Sequence, residues 1–106
     1  MATRKEYLNY ILDQLSGVEG ISHRAMMGEY IIYLRGRVAA YICDGRLLVK
    51  PVAAARALLP DAPLEPPYPG AREMLLVEDT DDSGFLQRLF ETIYPELPAP
   101  GEKKKK

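Results

Sequence analysis

Residues 29–50 read EYIIYLRGRVAAYICDGRLLVK, and this stretch decides the fold. It is rich in Ile, Val and Tyr, the residues that suit a pleated, half-buried surface, and it carries no proline. Arg35-Gly36 and Asp44-Gly45 interrupt it, each as a two-residue loop. Asp-Gly fits a type I′ turn, which needs positive φ at both central positions. Three antiparallel strands are therefore expected, Glu29–Leu34, Arg37–Cys43 and Arg46–Lys50.

Loops this short set the register, and register assigns side chains to faces. Leu34 is expected opposite Arg37, Tyr33 opposite Val38 and Ile31 opposite Ala40. In the second hairpin Cys43 meets Arg46, Ile42 meets Leu47 and Ala40 meets Val49. One face then carries Ile31, Tyr33, Val38, Ala40, Ile42, Leu47 and Val49 and reads as the core. The other carries Tyr30, Ile32, Leu34, Ala39, Tyr41, Cys43 and Leu48, bordered by Arg37, Arg46 and Lys50. An apolar, tyrosine-bearing centre with a charged rim has the composition of an interface. The expected occupant is a second copy of the chain, giving a homodimer, or another protein. The competing arrangement has a helix or the proline-rich segment covering this face.

Outward from the strands, the flanks read as helices. Thr3 and Glu6 form a capping pair, and Leu8, Ile11, Leu12 and Leu15 follow at helical spacing until Ser16-Gly17. Pro51 opens a short alanine-rich helix over residues 52–59, ended by Pro60. Residues 60–70 hold five prolines and read as an irregular crossing with a brief edge strand near Leu64. Glu73–Glu78 is a further strand. Asp81 or Asp82 caps a last helix whose stripe is Leu86, Leu89, Phe90 and Ile93, and Pro95 ends it. The order is α-β-β-β-α-(β)-β-α, an α+β fold with the helices packed on one face of an antiparallel sheet. With 106 residues there is room for one domain, placed at residues 1–97, with 98–106 as a flexible Pro/Lys-rich tail.

Charge narrows the function. Four of the fourteen basic residues are Lys103 to Lys106, leaving ten to set against fifteen acidic ones. An acidic body repels phosphate, so a duplex-binding face is disfavoured. Weak nucleic-acid binding by the lysine run and the mixed sheet face stays as a third reading. A single cysteine, Cys43, allows no internal disulfide, which fits a reducing compartment. No leader-like or membrane-spanning run is present, so a cytoplasmic location is expected.

The ordered pieces Arg24-Ala25-Met26-Met27-Gly28-Glu29-Tyr30, Leu34-Arg35-Gly36-Arg37, Asp44-Gly45-Arg46-Leu47 and Lys50 resemble the TfoX/Sxy N-terminal family, associated with competence regulation. Tyr68-Pro69-Gly70-Ala71-Arg72 and the Glu-Leu-Pro ahead of the lysine run extend the likeness along nearly the whole chain. Met27 stands where phenylalanine is usual in the family, and Glu29 where glycine is usual. The resemblance marks Arg24, Met26, Gly28, Tyr30, Gly36, Asp44, Gly45 and Lys50 as motif residues. It implies a two-layer fold like that of secretion chaperones and a link to regulation of DNA uptake in bacteria. It implies no defined reaction.

Catalytic chemistry is hard to assemble from these residues. His23 is the only histidine, and His23 with Cys43 is the nucleophile–base pairing to weigh. No serine, asparagine or acid is visibly placed to orient its ring, and the chain reads as a non-enzyme. Glu78, Asp79, Asp81 and Asp82 lack the spacing of a calcium loop and read as helix-capping acids. No metal and no cofactor are implied. The rival to a protein-interaction module is a domain binding an anion, or acting as an enzyme, at a pocket near Arg24, Lys50 and Arg72.

Overall fold

A computed structural model describes residues 5–26 and 28–98. The capping residue Thr3 and the lysine-rich tail lie outside the described residues. Along the chain run α1 (Lys5–Gln14), β1 (Ile21–Met26), β2 (Glu29–Leu34), β3 (Arg37–Cys43), β4 (Arg46–Val49), α2 (Ala53–Leu58), β5 (Leu64–Glu65), β6 (Met74–Val77), α3 (Ser83–Ile93) and a 3-10 turn, Tyr94–Glu96. The strands form one antiparallel sheet in the order β1-β2-β3-β4-β6-β5. This is the expected α+β fold, with one strand more than the pattern predicted. Strand β1 has four exposed residues in succession, Ser22 to Ala25, and little apolar alternation to announce it. A marginal strand facing water on one edge needs none.

Both anticipated turns are type I′ in character. Arg35 and Gly36 have φ of 50° and 85°, and Asp44 and Gly45 have 55° and 72°. Gly28, at φ 84°, serves the additional hairpin that joins Met26 to Glu29. Asp82 caps α3 by accepting a hydrogen bond from the Phe85 amide at 3.0 Å. Pro51 stands ahead of the α2 cap, Val52, instead of inside the first turn. The Ala54 amide there donates to Glu96 Oε1 at 2.9 Å, so a carboxylate from the 3-10 turn serves the α2 start.

The register of the first hairpin departs from the expected one. Leu34 faces Arg37 and Tyr33 faces Val38, as the loop length requires, but Ile32 then faces Ala40 and Ile31 faces Tyr41. Ala39 is the extra residue of a β-bulge. A slip of one residue exchanges the faces, so the assignment on β2 and at the start of β3 is inverted. Tyr30, Ile32, Leu34 and Arg37 lie on the helix side, while Ile31, Tyr33 and Val38 lie on the other. From Ala40 onward the expected faces hold. The bulge buries Ile32 and Leu34 completely and leaves Tyr33 half-buried on the other face. Without it a phenol would face the aliphatic layer in their place.

The core lies between the sheet and a helical layer. Leu8 and Ile11 of α1, Leu15 just after it, and Leu86, Leu89, Phe90 and Ile93 of α3 pack with Ile32, Leu34, Ala40, Ile42, Leu47, Val49, Leu75 and Val77. The first hairpin also clamps the end of α3. Arg37 donates to the carbonyls of Tyr94 and Leu97 at 3.3 and 3.2 Å, and its guanidinium lies 4.7 Å from the Tyr94 ring centroid. Arg35 lies 4.9 Å from the same ring and reaches both Glu91 carboxylate oxygens at 3.2 Å.

Candidate interaction face

The sheet face turned away from the helices is built from alternate residues of each strand. β2 supplies Ile31 and Tyr33, β3 supplies Val38, Tyr41 and Cys43, and β4 supplies Arg46 and Leu48, with Lys50 just beyond. Opposite Leu48 stands Leu76 of β6. Tyr33, Val38 and Tyr41 are half-buried and so present part of their surface. Leu48 and Cys43 are fully covered.

Part of that cover is the loop between β5 and β6. Arg46 ties it down, with Nη1 2.6 Å from Glu65 Oε1 and Nη2 donating to the Pro66 carbonyl at 3.5 Å. Its Nε donates back to the Cys43 carbonyl at 3.3 Å, which fixes the guanidinium against the end of the neighbouring strand β3. Pro67 is buried, whereas Tyr68 is 46% exposed. The Ala71 amide donates to the Tyr68 carbonyl at 3.0 Å, closing a turn in which Gly70 has a φ of 88°. Thus the proline-rich segment lies over the β4 side of the face, while on the β2 side Ile31 is buried and Tyr33 and Val38 stay partly exposed. Between loop and sheet runs a groove of about 490 Å³, lined by Tyr41, Lys50, Tyr68, Arg72, Glu73 and Met74 among others.

Burial raises the Tyr41 pKa above its ordinary value, with smaller contributions from nearby Tyr68, Tyr33 and Cys43. The Cys43 thiol is pushed up to about 11, first by burial and then by Glu29 and Asp44, against the opposing pull of Arg46. A thiol held neutral at physiological pH is a poor nucleophile. Moreover, His23 stands opposite Ile32 on the helix side, while Cys43 stands opposite Arg46 on the other face. The two lie on opposite sides of the sheet. His23 instead meets the edge of the Tyr30 ring, with centroids 6.3 Å apart.

The remaining sequence candidates divide by role. Gly28, Gly36, Asp44 and Gly45 occupy turn positions with positive φ. Lys50 and Arg72 share the groove, but Arg24 does not line it: it stands exposed opposite Ile31 in β1, with two strands between it and β4. Met26 closes β1 opposite Glu29. Of the interface candidates, Tyr41, Arg46 and Leu48 lie on the open face; Tyr30, Ile32, Leu34 and Arg37 are corrected to the helix side by the bulge. Tyr33 and Tyr68 were not singled out for this surface. Tyr33 was hidden by the assumed register, and Tyr68 by treating its proline-rich segment as a connection. The acids near α3 have local work, since Asp82 caps the helix and Asp81 accepts a hydrogen bond from the Tyr10 hydroxyl. No cluster of three or more His, Cys, Asp or Glu side chains able to hold a metal occurs among the described residues. No helix there is long and apolar enough to cross a membrane.

The model of the TfoX N-terminal domain family matches residues 13–87, a span that takes in every strand and the groove loop. An uncharacterized 12.7 kDa protein in the trpE 5′ region of Spirochaeta aurantia is 32% identical over 107 residues, covering 100% of this chain and 93% of that protein. No solved structure matches.

Proposed function

The chain belongs to the TfoX N-terminal domain family, and on that premise we propose that it is a non-enzymatic regulatory module that binds protein through the open face of its sheet. The observation that carries this reading is the row of partly exposed side chains Tyr33, Val38 and Tyr41 beside buried Ile31, which no helix covers and which Arg24, Arg46 and Lys50 border. Tyrosine and arginine supply contact area and hydrogen bonds at little entropic cost, which is why interfaces are enriched in them. The neutral, covered thiol and its separation from His23 support a binding role over covalent chemistry. The family supports a place in the cytoplasmic regulation of DNA uptake.

The first occupant of the face is a second copy of the chain. Light scattering on purified protein should give twice the 11.9 kDa chain mass. Replacing Tyr33 and Tyr41 by Asp places unpaired charges in the contact and should return the monomer mass with the fold intact by circular dichroism. A wild type that stays monomeric at high concentration and retains no protein in a pull-down overturns the reading.

A further inference from the structure

We propose that the groove between the Pro66–Glu73 loop and the sheet binds an acidic, extended segment of a protein partner, its carboxylates facing Lys50 and Arg72 and an apolar side chain lying over Tyr41 and Tyr68. This rests on reading the open face as an interaction face and names the chemistry of one part of it.

Charge supplies the first argument. Among the described residues acids outnumber bases, fourteen to nine. Within the groove lining the balance reverses, with Lys50 and Arg72 against Glu73. Arg72 is exposed and no hydrogen bond or ion pair engages it among the described residues. A short segment carrying two carboxylates fits such a local reversal. A nucleic acid would have to run onward across acidic surface and meet repulsion along its length.

Shape supplies the second. The groove volume falls within the range of about 300–1,000 Å³ typical of ligand sites. Its walls are two tyrosine rings, one of them Tyr68, among the most exposed large apolar side chains described. The loop that forms one wall is already ordered by Arg46, by buried Pro67 and by the turn at Gly70. Pro66, Pro67 and Pro69 restrict it further, so little loop entropy is lost on binding.

The test measures fluorescence anisotropy on the full chain with a labelled five-residue peptide of alternating glutamate and phenylalanine. Its counterpart with glutamine in place of glutamate removes the charge and keeps the shape. The glutamate peptide should bind at least about tenfold more tightly than the glutamine peptide, and the difference should shrink in high salt. Arg72→Glu and Tyr68→Ala, both at exposed loop positions, should each weaken binding at least about fivefold, the scale expected for a charge pair or an aromatic contact. Arg88→Glu, on the exposed side of α3, should leave it within about twofold. Equal binding of the two peptides overturns the proposal. So does an Arg72→Glu variant that is folded and binds like wild type, or displacement of the peptide by a single-stranded oligonucleotide at lower concentration. Peptide binding is read on monomer and dimer alike. Failure here with a dimeric chain removes the groove's ligand alone, whereas success with a monomeric chain removes the self-association reading alone.

Discussion

At Cys43 the chain places a thiol on the open face yet keeps it from water, and the consequence is read in pH. Its pKa is pushed up to about 11 from an ordinary value of 9.0, mainly by burial. Between those values the unfolded chain releases the proton first, so stability is full below pH 9 and falls as pH rises toward 11. Tyr41 and Tyr7, both raised chiefly by burial, push the same way above pH 10. In urea titrations the wild-type midpoint should drop between pH 8 and pH 10.5, and Cys43→Ala should drop less. Equal slopes would show that the thiol contributes nothing. None of this was legible in the sequence, where Cys43 stood as the single cysteine, on one sheet face and a possible partner of His23; its cover comes from residues far away along the chain. Arg37 misled for the same reason. Its charge suggested a rim, whereas its partners are the carbonyls that end the last helix, nearly sixty residues on.

Among the elements, the two hairpins were legible because turn chemistry is local: Arg35-Gly36 and Asp44-Gly45 adopt the positive φ values that their glycines permit. The Ala39 bulge was not, because the choice between two registers rests on what the helices offer to bury. Ile32 and Leu34 win the core over Ile31 and Tyr33 only once α1 and α3 are in place. Deleting Ala39 while keeping both turns leaves Tyr33 opposite Val38 and Ile32 opposite Ala40 in plain alternation, so Ile32 and Leu34 stay on the core side. Each buried aliphatic of this size is worth about 1.5–3 kcal/mol, and the deletion turns neither of them out, so cooperative thermal unfolding should persist. Loss of the sharp transition would show that the bulge itself, and not only the faces it sets, holds the strand in place. Strand β1 escaped notice on similar grounds, since its residues Ser22 to Ala25 gain nothing from burial and so show no pattern.

For the whole molecule, the layered α+β plan followed from amphipathic stripes that needed a common partner, and the stripe on α3 includes the largest fully buried side chain, Phe90. A domain this small has a narrow margin, on the order of 5–15 kcal/mol. Phe90→Ala should remove about 3–5 kcal/mol of it, lowering the urea midpoint severely; a loss under about 1 kcal/mol would mean that the helical layer is loosely packed. The groove was legible only in part: Lys50 and Arg72 were expected to share a pocket, but Tyr41 and Tyr68 join them only when a proline-rich connection folds over the sheet. The two margins of that sheet differ as well. At one, β1 offers six residues; at the other, β5 has two, set between Pro63 and Pro66. Strand addition between copies is therefore available at one margin alone, and a two-fold pairing there consumes it in both partners. Such growth closes at two copies and has no free end from which a fibre would propagate.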